Sequence, residues 1–271
     1  MIKVVYPDIL NAGDLLNINL IEKLSGKKVV RSKVYDADML AIGGALFGTQ
    51  YSDSLKRKLF QTVLGAVYAK KPLYVWGSGF WHDNNPNKLY RKNLKILALR
   101  GEKTRQKLSG LTGKTYDVPL ADAGLLADMM LDEMPEKKYE IGLIPHMHQQ
   151  EEEFVKKMAA QDNVHLINIK TDPVTAIREI AECKYIVSSS LHGLIFADAL
   201  HIPSLHLIGK TPLLGGNFKF EDYYSCYGLE DKPWVMDEKI PTVEDIVSQY
   251  EIDWNVVDEK KKELLACFPK F

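Results

Sequence analysis

Hydrophobic and polar positions follow one rhythm along almost the whole chain, in which a short apolar run is followed by a stretch of helical periodicity. In the first half, the apolar runs predict strands at Ile2–Tyr6, Lys28–Arg31, Met39–Ile42, Leu73–Trp76 and Lys95–Leu99. The stretches between them predict helices at Asp14–Leu24, Ser54–Ala69 and Glu102–Leu108. Because the apolar runs are continuous and do not alternate with polar residues, they are typical of parallel strands buried on both faces.

The same rhythm restarts after a charged, proline-containing segment at Met129–Lys138, which we interpret as a linker. The second half predicts strands at Glu140–Ile144, Val164–Ile167, Tyr185–Ser188 and Ser204–Leu207. It predicts helices at Glu151–Ala160, Pro173–Cys183 and Leu191–Leu200, with tail helices at Val243–Tyr250 and Val256–Cys267 that pack across the halves. We therefore predict an α/β protein of two doubly wound halves facing a cleft, residues 1–134 and 135–271.

Composition and charge narrow the class of function. Apolar residues make up 46% of the chain and charged residues 26%, which is enough for a substantial core. With 35 basic and 36 acidic side chains and no basic stripe, the sequence argues against a nucleic-acid partner. No signal-like or membrane-length apolar run appears, and the three cysteines are widely spaced. We expect a cytoplasmic protein that does not span the membrane; its oligomeric state is not predicted.

The most informative segment runs from Ser188 to Ala197, where an apolar strand ends in three serines and a helix begins. Free N–H groups at such a helix start, together with the hydroxyls of Ser189 and Ser190, can bind an anion. His192 lies in the first helical turn, and histidine exchanges protons near neutral pH. The alternative is structural: Ser190 caps the helix and His192 is a buried, hydrogen-bonded side chain.

Two further strand ends in the first half carry glycines and a carboxylate. Asn11-Ala12-Gly13-Asp14 follows the first strand, so Asp14 is either an N-terminal helix residue or a carboxylate that accepts a hydroxyl proton. Gly43 and Gly44 end the third predicted strand and would let a ligand approach backbone amides, although a tight turn explains them equally.

Aromatic and basic residues stand at three other strand ends. Trp76 fits the core, whereas Trp81, in the following loop, is suited to stacking on a sugar ring. Arg100 follows an apolar strand and is a candidate for binding a carboxylate or phosphate, with a surface ion pair as the alternative. His146 is expected to face the cleft. His146 and His148 have no third ligand at a recognisable spacing, so we predict no metal site.

Taken in order, these segments resemble the polysaccharide pyruvyltransferase family. The resemblance covers roughly residues 1–210 and rests on Asn11-Ala12-Gly13-Asp14, Ile42-Gly43-Gly44, Gly77-Ser78-Gly79-Phe80, Leu99-Arg100-Gly101, Ala121-Asp122-Ala123-Gly124-Leu125-Leu126, Ile144-Pro145-His146 and the segment Cys183–Pro203. It implies two Rossmann-like halves similar to those of two-domain glycosyltransferases. It also implies phosphoenolpyruvate as the donor, no other cofactor, and a pyruvate ketal bridging two hydroxyls of a sugar acceptor, free or lipid-linked.

The resemblance also suggests roles for the candidate residues. His192 would transfer a proton at the donor, and Asp14 would accept the proton of the acceptor hydroxyl. The second half is the expected donor side, and the expected donor-binding residues are Arg100, Ser189, Ser190, Leu191, Gly193, Gly44 and Lys210. Acceptor binding is expected on the first half, from Asn11 and Trp81, with His146 contributing. Ser190 stands where many members have arginine, and Ala45 where a third glycine is common, so one expected donor cation is missing.

Two other functions fit the same architecture. A nucleotide-sugar glycosyltransferase would need a glutamate and basic residues for ribose and diphosphate in the second half, where Lys210 and Glu221 are the nearest candidates. A non-catalytic sugar-binding relative is favoured by the missing arginine. The presence of His192, Asp14 and Arg100 together favours an enzyme.

Overall fold

The first half of the chain forms a five-stranded sheet in which every strand pairing is parallel. The computed structural model describes residues 1–83, 88–209, 215–236 and 239–271. The strands are β1 (Ile2–Val4), β2 (Val29–Arg31), β3 (Met39–Leu40), β4 (Leu73–Ser78) and β5 (Leu94–Leu99). The helices are α1 (Ala12–Ser25), α2 (Leu55–Val67) and α3 (Glu102–Thr112), with short 3₁₀ segments at Ala45–Thr49 and Ala123–Met130.

The second half forms another five-stranded parallel sheet. Its strands are β6 (Tyr139–Ile144), β7 (Val164–Leu166), β8 (Cys183–Ser188), β9 (Ser204–Ile208) and β10 (Trp234–Val235). Its helices are α4 (Glu153–Ala159), α5 (Pro173–Ala181), α6 (Leu191–Ala199), α7 (Phe218–Ser225), α8 (Val243–Gln249) and α9 (Trp254–Ala266).

Both sheets have the same strand order. It is β2-β1-β3-β4-β5 in the first and β10-β9-β8-β6-β7 in the second, which is the same order when each half is numbered from its own first strand. The predicted fold of two Rossmann-like halves is therefore confirmed. In such sheets the order reverses beside the first strand, and ligands bind at the strand carboxyl ends there. In this protein those positions follow β1 and β3 in one half, and β6 and β8 in the other.

One continuous core joins the halves. Ala12 and Leu16 of α1, Leu125 of the 3₁₀ segment, Ile177 of α5 and Ile195 of α6 are all buried in it. These elements hold the amino-terminal ends of α1 and α6 in fixed positions relative to each other. The central candidate residues therefore stand on a rigid support.

The carboxyl-terminal tail crosses from the second half to the first, as expected. The indole of Trp76 in β4 donates to the carbonyl of Leu264 in α9 at 2.9 Å, and Lys260 donates to the carbonyl of Leu120 at 2.8 Å. The tail thus packs on the first sheet, while the division at residues 134 and 135 remains a prediction. Within the described ranges, no helix is both long and apolar enough to cross a bilayer.

Candidate active site

A cavity of about 270 Å³ lies between the halves, where the four switch-point strand ends meet; we call it the central cavity. Its wall includes Asn11 and Asp14 after β1, Gly43 and Gly44 after β3, His146 after β6, and Ser190, Leu191 and His192 after β8. Arg100, Trp81, His148 and Lys219 also line it. The structure therefore brings together most of the residues that the sequence singled out.

The start of α6 offers unpaired donors to this cavity. Ser190 is the N-cap residue of α6, but its hydroxyl makes no capping hydrogen bond. The amides of Leu191 and His192 have no hydrogen-bond partner among the described residues, since the first α6 amides to bond a carbonyl are those of Gly193 and Leu194. A helix start with free amides and a positive dipole end attracts an anion. The simple capping role for Ser190 is thus not what the structure shows.

His192 faces the cavity from the first turn of α6. Its Nε2 is buried without a hydrogen-bond partner within the described part of the chain. Burial, together with the positive charges of Lys219 and Arg100, lowers the pKa of His192 to about 3. The imidazole is therefore neutral while the cavity holds no anion, and it is not the fully hydrogen-bonded histidine of the structural alternative.

Asp14 faces the same point as His192. A Cβ built on Gly43 would lie 3.9 Å from Oδ1 of Asp14 and 3.7 Å from Nε2 of His192, so both groups border the space above this glycine. Burial raises the pKa of Asp14 to about 6, and the nearby positive charge of Lys219 opposes that rise. A carboxyl group with such a pKa exchanges protons close to neutral pH.

Arg100 forms a buried side of the cavity, and only 1% of it is exposed. Its Nε donates to Oδ2 of Asp222 at 2.8 Å, and Nη2 donates to the carbonyl of Phe80 at 2.5 Å. Asp222 also accepts from the amide and the hydroxyl of Thr104, both at 2.7 Å. The surface ion pair considered above is therefore wrong for Arg100, which is fixed in a buried network with only Nη1 left without a hydrogen bond to a described residue.

Lys219, in the first turn of α7, is a site residue that the sequence analysis did not assign. It lines the central cavity, and burial followed by the positive charge of Arg100 lowers its pKa to about 8, against the opposing effect of Asp14. From the sequence alone, the aromatic and basic residues from Lys219 to Tyr227 fit acceptor binding and core packing equally, and neither interpretation places Lys219 beside the donor. Its neighbours in space come from four other segments, and no local pattern predicts that.

A second cavity, of about 470 Å³, is lined by residues of the first half alone; we call it the side cavity. Asp14, Gly44 and Trp81 border both cavities. The indole of Trp81 lies almost parallel to the ring of Phe47, with centroids 6.4 Å apart, and remains 40% exposed. Gly44 allows this arrangement, because a Cβ there would be 2.9 Å from Cγ of Trp81. Trp76, by contrast, is buried in the core as expected.

Two of the predicted donor-binding residues, Ser189 and Gly193, lie behind the wall of the central cavity, whereas His146 lines it. The hydroxyl of Ser189 accepts from the amide of His146 at 2.8 Å and does not line the cavity, so direct donor contact by Ser189 is not supported. Gly193 also lies behind the wall, against Ser188 and Ile144.

His146 and Asn11 both line the cavity. Burial, with Lys219 and His148 nearby, lowers the pKa of His146 to about 4. Asn11 lines the cavity and its side-chain oxygen caps α1.

Lys210 lies outside the described residues. In the described ranges, no group of three or more histidine, cysteine, aspartate and glutamate side chains is arranged to hold a metal ion. The absence of a metal from the reaction remains a prediction.

Comparison with known proteins gives this geometry a context. Residues 10–210 match the family described as polysaccharide pyruvyl transferase. The chain belongs to this family. It is 31% identical to the uncharacterized protein L143 of Acanthamoeba polyphaga mimivirus, over 94% of this chain and 86% of that protein. It is 25% identical to the succinoglycan biosynthesis protein ExoV of Rhizobium meliloti (strain 1021), over 64% of this chain and 54% of that protein.

Membership in the polysaccharide pyruvyl transferase family supports pyruvyl transfer to polysaccharide as the general activity. The matched range contains every residue of the central cavity named above except Lys219. Lys219 contributes a cation to the cavity from outside the matched range. The free amides at the start of α6 and Lys219 together thus provide positive potential in the cavity.

Proposed function

We propose that this protein transfers the pyruvyl group of phosphoenolpyruvate to two hydroxyls of a sugar in a polysaccharide or its precursor, forming a ketal. The observation that carries the proposal is the convergence of Arg100, Lys219 and the free amides at the start of α6 on one cavity that also holds His192 and Asp14. Phosphoenolpyruvate has two anionic groups, a carboxylate and a phosphate. A chain with no net positive charge needs such a local cluster to bind them.

The cavity offers two kinds of binding group, neutral N–H and O–H groups and positively charged side chains, to the two anionic groups of phosphoenolpyruvate. The amides of Leu191 and His192, with the Ser190 hydroxyl, form a neutral set at a helix start, which binds phosphate or carboxylate oxygens without a full positive charge. Lys219 supplies a full positive charge, and Arg100 adds a positive charge that Asp222 partly offsets. The reaction develops positive charge at C2 of phosphoenolpyruvate, and nearby full positive charges would destabilise that cation. A site that uses both neutral and charged groups can bind the two anionic groups with less of this destabilisation.

The chemistry balances as follows. C3 of the donor gains a proton and becomes a methyl group, and C2 forms bonds to two sugar oxygens. The bond between C2 and the phosphate oxygen breaks, and phosphate leaves with its electron pair. Of the two hydroxyl protons released, one replaces the proton delivered to C3 and the other leaves with phosphate or solvent. The overall reaction needs no oxidant, reductant or metal ion as co-reactant.

His192 and Asp14 are the groups proposed to move these protons. A bound donor brings negative charge against His192, which offsets the effect of Lys219 and Arg100 and raises the pKa of the imidazole. His192 then carries the proton that reaches the donor. Asp14, whose pKa is about 6, accepts the proton of the attacking hydroxyl.

The side cavity is proposed to hold the acceptor. Trp81 and Phe47 present flat apolar faces to it, and Arg31, Ser32 and Lys33 give it a polar rim. Asp14 borders both cavities, so an acceptor hydroxyl beside Asp14 would stand next to the donor. The first half would then bind the acceptor, and the border of the two halves would bind the donor.

Thermal unfolding with phosphoenolpyruvate, pyruvate and nucleotide sugars tests the donor. At a hundred times its dissociation constant, a ligand specific for the folded state adds about 2.7 kcal/mol, which is a shift of several degrees for a protein of this size. We expect this shift with phosphoenolpyruvate and its loss in Lys219→Met. The control is Lys262→Met, which removes an exposed lysine on α9.

Turnover tests the reaction itself. Release of phosphate from phosphoenolpyruvate that depends on an added oligosaccharide, with gain of a pyruvyl group by that oligosaccharide, would support the proposal. Stabilisation by a nucleotide sugar and not by phosphoenolpyruvate would replace it with glycosyl transfer. Sugar binding without turnover under any donor would favour the non-catalytic relative.

A further inference from the structure

Helix α2 presents an apolar face to solvent instead of to the core. No residue of α2 is buried. Five large apolar side chains on its outer side are 56–84% exposed, and we call them the α2 outer face: Leu55, Leu59, Phe60, Val63 and Val67. The opposite side packs on the protein, where Gln61 bonds to the backbone of Ser52 and Gln50, and Gly65 lies against the Tyr90 carbonyl. The orientation of α2 is thus fixed with its apolar side outward.

The charges on α2 itself and directly after it all have one sign, whereas the exposed Asp53 lies just before it. Lys56, Arg57 and Lys58 lie in the first turn of α2, Lys70 follows its end, and the sequence from 55 to 71 contains no acidic residue. Lys56, Arg57 and Lys70 form no salt bridge with a described residue, and all four cations are exposed. Positive charges in a first helical turn oppose the helix dipole and weaken the helix. Their presence there therefore needs another explanation than the stability of α2.

We propose that the α2 outer face binds the surface of an anionic lipid bilayer. An exposed apolar stripe bordered by lysine and arginine is the pattern of helices that lie in the membrane interface, with apolar side chains inserted and cations against acidic headgroups. Charge complementarity favours this occupant over a second copy of the chain. Two α2 helices facing each other would bring cations of the same sign together and leave them without acidic partners.

Helix α2 lies beside the side cavity, so a membrane bound to the α2 outer face would be close to the proposed acceptor site. Tyr35 packs edge-on against Phe60, with ring centroids 6.3 Å apart, and its neighbour Val34 lines the side cavity. Of the cations on the rim of that cavity, Lys33 is exposed, and Arg31 is exposed but paired with Asp8. A bilayer held by the α2 outer face would lie next to the rim, where a lipid-linked acceptor can enter. Only this use rests on the proposed function; the binding to lipid does not.

Flotation of the full chain with vesicles tests the binding. Vesicles of phosphatidylcholine alone are compared with an equimolar mixture of phosphatidylcholine and phosphatidylglycerol. We expect binding to the mixture, weakened by added salt. Leu59→Gln with Val63→Gln should reduce it about tenfold or more, since two apolar side chains no longer insert. Lys56→Gln, Arg57→Gln and Lys58→Gln together should reduce it about tenfold to a hundredfold.

The control is Val247→Gln, which replaces a 52% exposed valine on α8 and should bind as the unchanged protein does. Circular dichroism checks that each variant is folded. Failure of the unchanged protein to bind the mixture, or equal binding by the α2 variants, would overturn the proposal. So would a dimer in sedimentation that dissociates in the Leu59→Gln, Val63→Gln variant, because a second copy would then cover the face. None of these readouts depends on phosphoenolpyruvate or turnover.

Discussion

The imidazole of His192 lies directly on the backbone of Gly13, with no space for a side chain between them. A Cβ built on Gly13 would be 2.6 Å from Cε1 of His192 and closer still to Nδ1 and Cγ. Gly13 belongs to α1 in the first half and His192 to α6 in the second. The position of the proposed proton carrier is therefore set by a glycine of the other half.

Gly13→Ala is expected to displace His192 and lower turnover by about a hundredfold or more, because small errors in the position of a reacting group are costly. Overpacking should also destabilise the protein by about 1–3 kcal/mol. Turnover and urea unfolding of the same preparation separate the two effects. The matched control is Gly110→Ala in α3, where an added Cβ meets nothing within 4 Å. It should keep full turnover and gain about 0.5–1 kcal/mol. Full turnover by Gly13→Ala would contradict the assigned role of His192.

The fold was accessible from the sequence because local patterns determine most of it. Continuous apolar runs mark the central strands, and predicted and observed strand limits agree within about two residues. The misses were short elements: the 3₁₀ segments, β10 and α7. β10 and the 3₁₀ segment at Ala45–Thr49 have too few residues to show a period, whereas α7 and the 3₁₀ segment at Ala123–Met130 are held in place by tertiary contacts. Lys219 was not predicted as a residue of the central cavity, since its surroundings come from distant segments.

The candidate site could be predicted only in part from the sequence. Glycines and polar residues after buried strands correctly pointed to Asp14, His192 and Gly44 as cavity residues. What the sequence did not contain was the direction of each side chain. Ser189 is turned toward the amide of His146, and Arg100 is engaged by Asp222, more than a hundred residues further along the chain. A motif identifies which residues are near the site, whereas packing decides which of them reach it.

Asp222 is expected to be essential for stability because it neutralises a buried arginine. Asp222→Ala leaves the guanidinium of Arg100 and two donors of Thr104 without their acceptor, which should cost about 3–5 kcal/mol. Urea unfolding of the variant measures the loss. Glu221→Gln is the matched control, since Glu221 pairs with Lys103 at a partly exposed position and should contribute about 0–1 kcal/mol. Similar losses of unfolding free energy in the two variants would show that the buried Arg100–Asp222 pair contributes no more to stability than the partly exposed pair.

Asp14 is expected to lower the stability of the folded protein at neutral pH. Its pKa is raised to about 6, so the folded state favours the protonated form. Stability is therefore lost as pH rises from the ordinary pKa of aspartate through about 6. Asp14→Asn cannot ionise and should exceed the unchanged protein by about 1–2 kcal/mol near pH 8, allowing for partial exposure, with no gain near pH 4. Unfolding at both pH values measures this. An equal gain in stability at pH 4 and pH 8 would show that the gain does not come from the ionisation of Asp14.

Phosphoenolpyruvate is expected to raise the pKa of His192. In the protein without donor, burial and the positive charges of Lys219 and Arg100 hold that pKa at about 3. The carboxylate and phosphate of bound phosphoenolpyruvate oppose both positive charges and favour the imidazolium. Lys219→Met should raise the pKa of His192 even without donor, because one of the opposing cations is removed, whereas Lys262→Met should leave it unchanged. Nuclear magnetic resonance titration of the imidazole measures each case. If donor binding left the pKa of His192 where it was, the proton delivered to C3 would have to come from another group, and Asp14 would be the first to test.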